Sequence, residues 1–307
     1  MSDRLSSLPP PLLLDEAALR AWPLPLPDED GDKEQRGRVL VIAGGPEMPG
    51  AAVLSAVAAM RAGAGKLTIA TAASVAAGVA LAVPEARVLA LPETAAGGLA
   101  AKGLALLEDI LPSARAVLFG PGVQDEGAAV DFARGLLTRC RHTALVLDAY
   151  GMCVVKSPPE GQPWPPRQAW ALTPHAGEMA SLTGIDKDEV QARPLQLAQQ
   201  AARQWQAVVA LKGRQTFIAA PGEERAWQHD GGNVGLATSG SGDVLAGLVA
   251  GLAARGAPLA QACAWGVVLH AHAGDRLTRR LGMLGLLARE LPGEVPDLLR
   301  ELGPCAA

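Results

Sequence analysis

Short apolar runs alternate with longer segments of helical character along most of the chain. Most runs end at Gly, Asp, Lys or Thr-Pro, as expected for a strand buried on both faces of a parallel sheet. We predict strands at residues 38–43, 66–70, 87–91, 116–119, 144–147, 169–172 and 207–211. Between them we predict helices at residues 51–62, 98–111, 127–137, 178–182 and 194–204. The alternation indicates an α/β fold with a central, mostly parallel sheet.

The two ends of the chain depart from this alternation. Residues 215–220 and 225–228 flank a Pro-Gly turn and predict an antiparallel hairpin. After it, three helices are predicted at residues 243–255, 258–278 and 283–301. Residues 1–35, rich in Pro and acids, are predicted to be a lead-in with one short helix at residues 15–22. Residues 36–307 are predicted to form a single catalytic domain.

The polar residues that follow the strands should share one edge of the sheet. In open α/β sheets, ligands bind in the crevice at the carboxyl ends of the strands. Glycine turns follow two of the strands, at residues 44–45 and 120–122. The other strand ends carry Asp148, His175 and Lys212. We therefore expect these residues to surround one ligand site.

A glycine-rich loop at residues 232–243 is the most informative segment. Its glycines let backbone N–H groups converge on an anion, and the helix that follows directs its positive end to the same place. The glycines at positions 232, 235, 240 and 242 have no Cβ to obstruct such an approach. Asp243 stands at the junction, where an ionised carboxylate can accept a proton from an attacking hydroxyl. The alternative role for Asp243 is a helix N-cap.

The remaining candidates each have a structural alternative. Lys212 could neutralise phosphate and Thr216 could hydrogen-bond a nucleotide, or the segment could be a turn with a surface lysine. His175 could contact a substrate and Glu178 a metal, or the two could belong to a Ser/Thr-x-x-acid helix cap. Asp148 could position a metal or occupy a turn. His270 and His272 have the wrong spacing for a helical metal pair, and we interpret them as structural.

Composition excludes several classes of protein. The 307 residues are 49% hydrophobic and 19% charged, with a net charge of −4 and no basic run. A nucleic-acid partner is therefore not expected. The four cysteines, at positions 140, 153, 263 and 305, form no Cys-x-x-Cys pair. No signal peptide and no membrane-spanning run of roughly 18 apolar residues is predicted, so we expect a cytoplasmic location.

Taken together, the motifs resemble the ribokinase-like superfamily, and more narrowly its ADP- or ATP-dependent NAD(P)H-hydrate dehydratases. The resemblance rests on segments that occur in the family's order across about residues 36–275. These are residues 36–70, Val83-Pro84-Glu85, Gly120-Pro121-Gly122, Leu147-Asp148-Ala149, residues 173–178, residues 212–216 and residues 232–243. Three positions differ from the usual pattern: Tyr150 replaces an acid, Gln124 a glycine and Val234 a proline.

The resemblance implies a three-layer α/β/α ribokinase-like fold and a repair reaction. Such enzymes phosphorylate the hydroxyl of hydrated nicotinamide cofactors, NADHX and NADPHX, with ADP or ATP, and loss of phosphate restores NADH or NADPH. Mg²⁺ would bridge the phosphates, and many members are homotetramers. The lead-in is too short for the epimerase domain that many relatives carry, so a standalone dehydratase is expected.

The resemblance also implies a role for each matched residue. Asp243 would be the base, with Gly240 and Gly242 in the anion hole. The hydrated cofactor would contact Ala51, Ala52, Gly122, His175 and Asp243. The adenine nucleotide would contact Lys212, Gly213, Arg214, Gln215, Thr216 and Gly242.

Two other functions remain open. A small-molecule kinase of the same superfamily, acting on a vitamin precursor or sugar, would need the same loop. A catalytically inactive nucleotide-binding regulatory protein would be consistent with Tyr150.

Overall fold

The strands form one twisted sheet in the computed structural model, which describes residues 9–26, 36–140, 142–158 and 169–303. The sheet order is β1-β10-β9-β8-β7-β6-β5-β2-β3-β4. Strands β2 to β8 are mutually parallel, whereas β9 runs antiparallel to both β8 and β10. The strands are β1 (Leu12–Leu13), β2 (Arg38–Ile42), β3 (Lys66–Ala72), β4 (Arg87–Leu91), β5 (Ala116–Phe119), β6 (Ala144–Leu147), β7 (Trp170–Leu172), β8 (Val208–Leu211), β9 (Thr216–Ala219) and β10 (Trp227–His229).

Helices cover both faces of this sheet. They are α1 (Glu16–Ala21), α2 (Pro49–Arg61), α3 (Ala76–Ala82), α4 (Glu126–Arg139), α5 (Ala176–Thr183), α6 (Lys187–Ala192), α7 (Pro194–Trp205), α8 (Ser241–Ala254), α9 (Leu259–Leu281) and α10 (Leu291–Leu302). Alternate side chains of β2 point to opposite faces of the sheet and contribute to two different hydrophobic cores. Val39 and Val41 pack with α2, α8, α9 and α10, whereas Leu40 and Ile42 pack with α4, α5 and α7. The predicted α/β/α layering is confirmed.

The order of the strands creates a crevice between β2 and β5. From β2 the chain proceeds through β3 and β4 to one side, and from β5 through β8 to the other. Gly44 follows β2 and Gly120 follows β5, and the Gly44 N–H donates to the Pro121 carbonyl at 2.8 Å. Both glycines have positive φ, and a side chain on Gly120 would collide with the Asp148 carbonyl. This is the switch point at which open α/β sheets bind ligands.

Helices α2 and α8 pack closely beside that crevice. Gly247 of α8 lies against the Ser55 carbonyl and Gly251 lies against the Ala59 carbonyl, with no room for a Cβ at either glycine. Both helices begin at the same edge of the sheet, so their close packing fixes the glycine loop relative to the start of α2.

The described part of the N-terminal lead-in packs against the rest of the protein. Strand β1 pairs with β10, and Trp22 stacks on Trp227 with ring centroids 5.4 Å apart. Leu14, Leu19 and Leu24 are buried in the core. The predicted boundary between residues 35 and 36 falls at the edge of a segment outside the described residues.

Most predicted elements are confirmed, but two helices are not. The predicted helix 98–111 is replaced by short 3₁₀ turns at Ala101–Leu107 and Leu111–Ser113. Gly98 and Gly103 weaken a helix over this range, and Pro112 follows it directly. The predicted helix 283–301 begins only at Leu291, because Gly282 and Gly285 adopt positive φ. Four further elements were not predicted from the sequence, namely β1, α3, α6 and a 3₁₀ helix at Ala149–Lys156. Across the described ranges, no helix is long and apolar enough to span a membrane.

Candidate functional site

The glycine loop places a carboxylate within the first turn of α8. Gly240 is the N-cap, with φ +86°. Asp243 is the third helical residue and makes no capping hydrogen bond. The N-cap alternative for Asp243 is therefore wrong. Its carboxylate faces the crevice, beside the backbone N–H groups that begin the helix.

A buried charge cluster lies next to Asp243. Asp148, directly after β6, accepts a hydrogen bond from the Thr173 hydroxyl at 2.6 Å. The Lys212 ammonium lies 3.4 Å from Asp148 Oδ1 and 3.8 Å from Glu178 Oε2. These groups come from the ends of β6, β7 and β8 and from α5. The strand-end rule thus brought Asp148 and Lys212 together as expected.

The cluster perturbs the acid–base properties of its members. Burial, assisted by the charges of Asp148 and Glu178 and opposed by Lys212, raises the pKa of Asp243 to about 6. Burial lowers the pKa of Lys212, but Asp148, Glu178 and Asp243 outweigh this and raise it overall. At neutral pH, Lys212 is charged and Asp243 is mostly ionised, and the raised pKa makes Asp243 a better base than an ordinary aspartate.

A first cavity, of about 710 Å³, opens on one side of Asp243. The start of α2 and the turn after β5 form its walls, which include Ala51 and Gly122. Its other lining residues include four that the sequence did not single out as ligand contacts, namely Glu47, Met48, Glu126 and Ser239. Tyr150 also lines it and is 43% exposed. Ala52, in contrast, is fully buried in the core and does not line the cavity.

A second cavity, of about 760 Å³, opens on the other side of the glycine loop. Lys212, Gly213, Arg214, Thr216 and Gly242 line it, which are five of the six residues assigned to the nucleotide. The sixth, Gln215, lines an adjoining third cavity of about 810 Å³ that shares Lys212, Gly213 and Arg214. Asp243 and Gly242 are adjacent in the chain but face different cavities, so α8 begins at the boundary between the two.

His175 lies on the second-cavity side of this boundary. It is the N-cap of α5, and its Nδ1 accepts hydrogen bonds from the N–H groups of Gly177 and Glu178. The Glu178 carboxylate in turn accepts from the His175 N–H at 2.7 Å. The pair thus forms a capping box with histidine in the place of Ser or Thr. His175 lines the second cavity rather than the first.

Asp148 and Glu178 do not fit a protein-held Mg²⁺ site. Their nearer oxygens already bind Thr173, the His175 N–H and the Lys212 ammonium. Asp148 is only 3% exposed. No group of three or more His, Cys, Asp or Glu residues arranged to hold a metal occurs within the described ranges. A magnesium ion at this site would be held chiefly by nucleotide phosphates, as is common.

Two contacts between the loop and α9 were missed by the sequence analysis. Asn233 donates to Asp275 at 2.6 Å and to Thr278 at 3.1 Å, which anchors the loop. Ser241 is hydrogen-bonded to His270, which also lines the second cavity. Pairs so distant in sequence leave no local pattern from which they could have been found.

Comparison with known proteins identifies the family of this chain. The sequence profile of NAD(P)H-hydrate dehydratases matches residues 39–297. The chain belongs to the NAD(P)H-hydrate dehydratase family. An ADP-dependent (S)-NAD(P)H-hydrate dehydratase of Xanthomonas campestris is 48% identical over 93% of this chain and 95% of its own length.

Solved structures agree on the fold. The ADP/ATP-dependent NAD(P)H-hydrate dehydratase of Bacillus subtilis, co-crystallized with ATP/Mg²⁺, gives a TM-score of 0.81 at 31% identity, over 95% of this chain and 99% of that one. A ribokinase-like superfamily protein of Enterococcus faecalis also gives 0.81, at 24% identity, over 95% of this chain and 96% of its own. The ribokinase-like fold is thereby confirmed.

Proposed function

We propose that this protein catalyses the ADP- or ATP-dependent dehydration of (S)-NADHX and (S)-NADPHX to NADH and NADPH. The observation that carries the proposal is the position of Asp243, a carboxylate of raised pKa between two cavities at a helix N-terminus. The hydrated nicotinamide would occupy the first cavity and the nucleotide the second. Membership of the family supports the choice of substrate.

The chemistry follows from this arrangement. Asp243 takes the proton of the ring hydroxyl as its oxygen attacks the terminal phosphorus of the nucleotide, and the shorter nucleotide leaves. The N–H groups at the start of α8 stabilise the charge on the transferred phosphoryl group. The phosphate then departs with the electrons of the carbon–oxygen bond. The neighbouring ring carbon loses a proton, and the double bond of the nicotinamide is restored.

One assay tests the proposal. Purified protein is incubated with NADHX, Mg²⁺ and either ADP or ATP, and the absorbance of restored NADH is followed. Recovery of NADH with at least one nucleotide is expected, and its loss on chelation of Mg²⁺ would support a metal–nucleotide substrate. No recovery with either nucleotide would refute the dehydratase. Phosphorylation of another alcohol without dehydration would identify a kinase. Absence of turnover with every substrate tested would indicate a regulatory protein.

Asp243→Asn tests the base directly. We expect turnover to fall by about 10²–10⁴-fold while nucleotide binding persists, because a positioned base contributes on that order. Asp186→Asn is the matched control, since Asp186 caps α6 and binds only the Asp188 N–H among the described residues. It should retain activity. An active Asp243→Asn enzyme would remove this residue from the base role.

The family resemblance supports two further parts of the proposal. These are a homotetrameric assembly and a cytoplasmic location. Light scattering coupled to size-exclusion chromatography measures the molar mass of the assembly, and a value near that of four chains is expected. Fractionation of the source cells tests the cytoplasmic location.

A further inference from the structure

A serine hydroxyl and an imidazole meet on the wall of the second cavity. Ser241 is the first residue of α8, and its Oγ lies 2.9 Å from Nε2 of His270 in α9. The same nitrogen lies 3.0 Å from the Ser241 carbonyl oxygen. Both residues line the second cavity, next to Gly242. The contact therefore sits where the anion-binding loop becomes a helix.

The carbonyl oxygen determines the direction of these hydrogen bonds. A carbonyl can only accept, so Nε2 of His270 carries a hydrogen and donates it. A nitrogen that carries a hydrogen has no lone pair free to receive the serine proton. Ser241 Oγ therefore accepts as well. Burial lowers the pKa of His270 to about 4, outweighing the hydrogen bond to the Ser241 carbonyl, so the ring is neutral at physiological pH.

This arrangement leaves the Ser241 hydroxyl hydrogen available to a ligand. Ser241 is only 5% exposed, and within the described residues no acceptor takes that hydrogen. A buried donor without an acceptor is costly, and a phosphate oxygen is a strong acceptor. The Lys212 ammonium lines the same cavity and lies close to Gly242. A cation, backbone N–H groups and this hydroxyl therefore converge on one place.

We propose that the Ser241 hydroxyl donates a hydrogen bond to a phosphate oxygen of the nucleotide in the second cavity, and that His270 is the positioning residue that orients this hydroxyl toward the phosphate. The proposal takes the identity of the ligand, an adenine nucleotide, from the proposed function. His270 holds the oxygen by donating to it, which directs the hydroxyl hydrogen away from the imidazole. The role of His270 is thus more specific than the structural role expected from its sequence spacing.

Calorimetric binding of ADP and of adenosine tests the proposal. Ser241→Ala should weaken ADP binding about tenfold or more, because a hydrogen bond to a charged group is lost. Adenosine, which has no phosphate, should bind equally to both proteins. Ser241→Thr, which keeps the hydroxyl, should retain ADP affinity. It is the control that keeps the proposal testable if the alanine variant fails to fold.

Variants of His270 test its positioning role. His270→Phe should weaken ADP binding, whereas His270→Gln, whose amide can donate in the same direction, should restore it. The double variant Ser241→Ala/His270→Phe should bind ADP no more weakly than Ser241→Ala, since His270 acts through the serine. His272→Gln, two residues along α9, is the matched control and should bind ADP normally.

The outcomes separate this proposal from the proposed function. An unchanged ADP affinity in Ser241→Ala, or an equal loss for adenosine, would overturn the phosphate contact. Additive losses in the double variant would overturn the positioning role of His270. Because binding is measured without NADHX, a protein that binds ADP through Ser241 but fails to dehydrate NADHX would refute only the proposed reaction. Wild-type protein that binds neither ADP nor ATP would refute both.

Discussion

Asp243 shows how a single residue can be tuned by its surroundings. A helix N-terminus favours a carboxylate and would lower its pKa. Burial and two neighbouring acids act in the opposite sense and prevail, giving a pKa of about 6. The helix N-terminus, which is all that the sequence reveals, predicts a carboxylate that stays ionised at neutral pH. The structure retains the ionised form at neutral pH but makes it more basic.

The pH dependence of activity should report this carboxylate. Below pH 6 Asp243 is protonated and cannot accept the hydroxyl proton, whereas above pH 6 it is ionised and can. We therefore expect kcat/KM for NADHX to fall as the pH is lowered through about 6. Initial rates between pH 5 and 8, with stability checked at each pH, measure it. A rate that stays constant down to pH 5 would contradict the assignment.

The charges around Asp243 should shift that profile in opposite directions. Lys212→Met removes the cation that lowers the pKa of Asp243, so kcat/KM should begin to fall at a higher pH. Asp148→Asn removes a negative neighbour, so the fall in kcat/KM should occur at a lower pH. Lys212→Arg is the control that keeps the charge, and the pH at which kcat/KM falls should not change.

Folding must be checked for the Lys212 variant. Removal of one partner from a buried ion pair costs about 3–5 kcal/mol, so Lys212→Met is expected to be less stable. Asp148→Asn leaves Lys212 paired with Glu178 at 3.8 Å, so it provides the test if Lys212→Met does not fold. Shifts of the same sign in both variants would show that Asp243 is not the titrating group.

At the scale of elements, strands were easier to predict than the site they create. Continuous apolar runs identify buried strands locally, and the rule for strand ends located Asp148 and Lys212. The salt bridge between these two residues joins positions 64 apart in the chain. Local sequence cannot reveal whether such a lysine faces a ligand or a carboxylate. The same limit hid the contact between Ser241 and His270 and the division of the loop between two cavities.

The packing of α2 against α8 sets the position of the loop, and one glycine tests it. A methyl group on Gly251 would collide with the Ala59 carbonyl, so Gly251→Ala should destabilise the protein by about 1–3 kcal/mol. Gly293→Ala is the matched control, because α10 leaves open space around that position. It should stabilise by up to about 1 kcal/mol through helix propensity. Denaturant unfolding measures both, and equal effects would contradict the proposed packing.

At the scale of the whole molecule, the N-terminal segment contacts the side of the site that contains the second cavity. The Trp22 carbonyl accepts hydrogen bonds from Gln261 and Trp265 of α9 at 3.0 and 2.8 Å. The Leu14 carbonyl lies 2.8 Å from Nδ1 of His229, whose ring lines the second cavity. Residues 9–26 therefore support a wall of the second cavity, although the sequence suggested only a lead-in.

Two leucines of this segment test whether it folds with the rest of the protein. Leu19 in α1 is fully buried in the same core as α8 and α9, so Leu19→Ala should lower the free energy of unfolding by about 2–5 kcal/mol. Leu13 in β1 is 62% exposed, so Leu13→Ala should change it by no more than about 0.5 kcal/mol. Both are measured by denaturant unfolding followed by tryptophan fluorescence, to which Trp22 in the segment contributes together with the other five tryptophans. One cooperative transition that moves as a whole in Leu19→Ala is expected, whereas a separate early transition would mean that the segment unfolds independently.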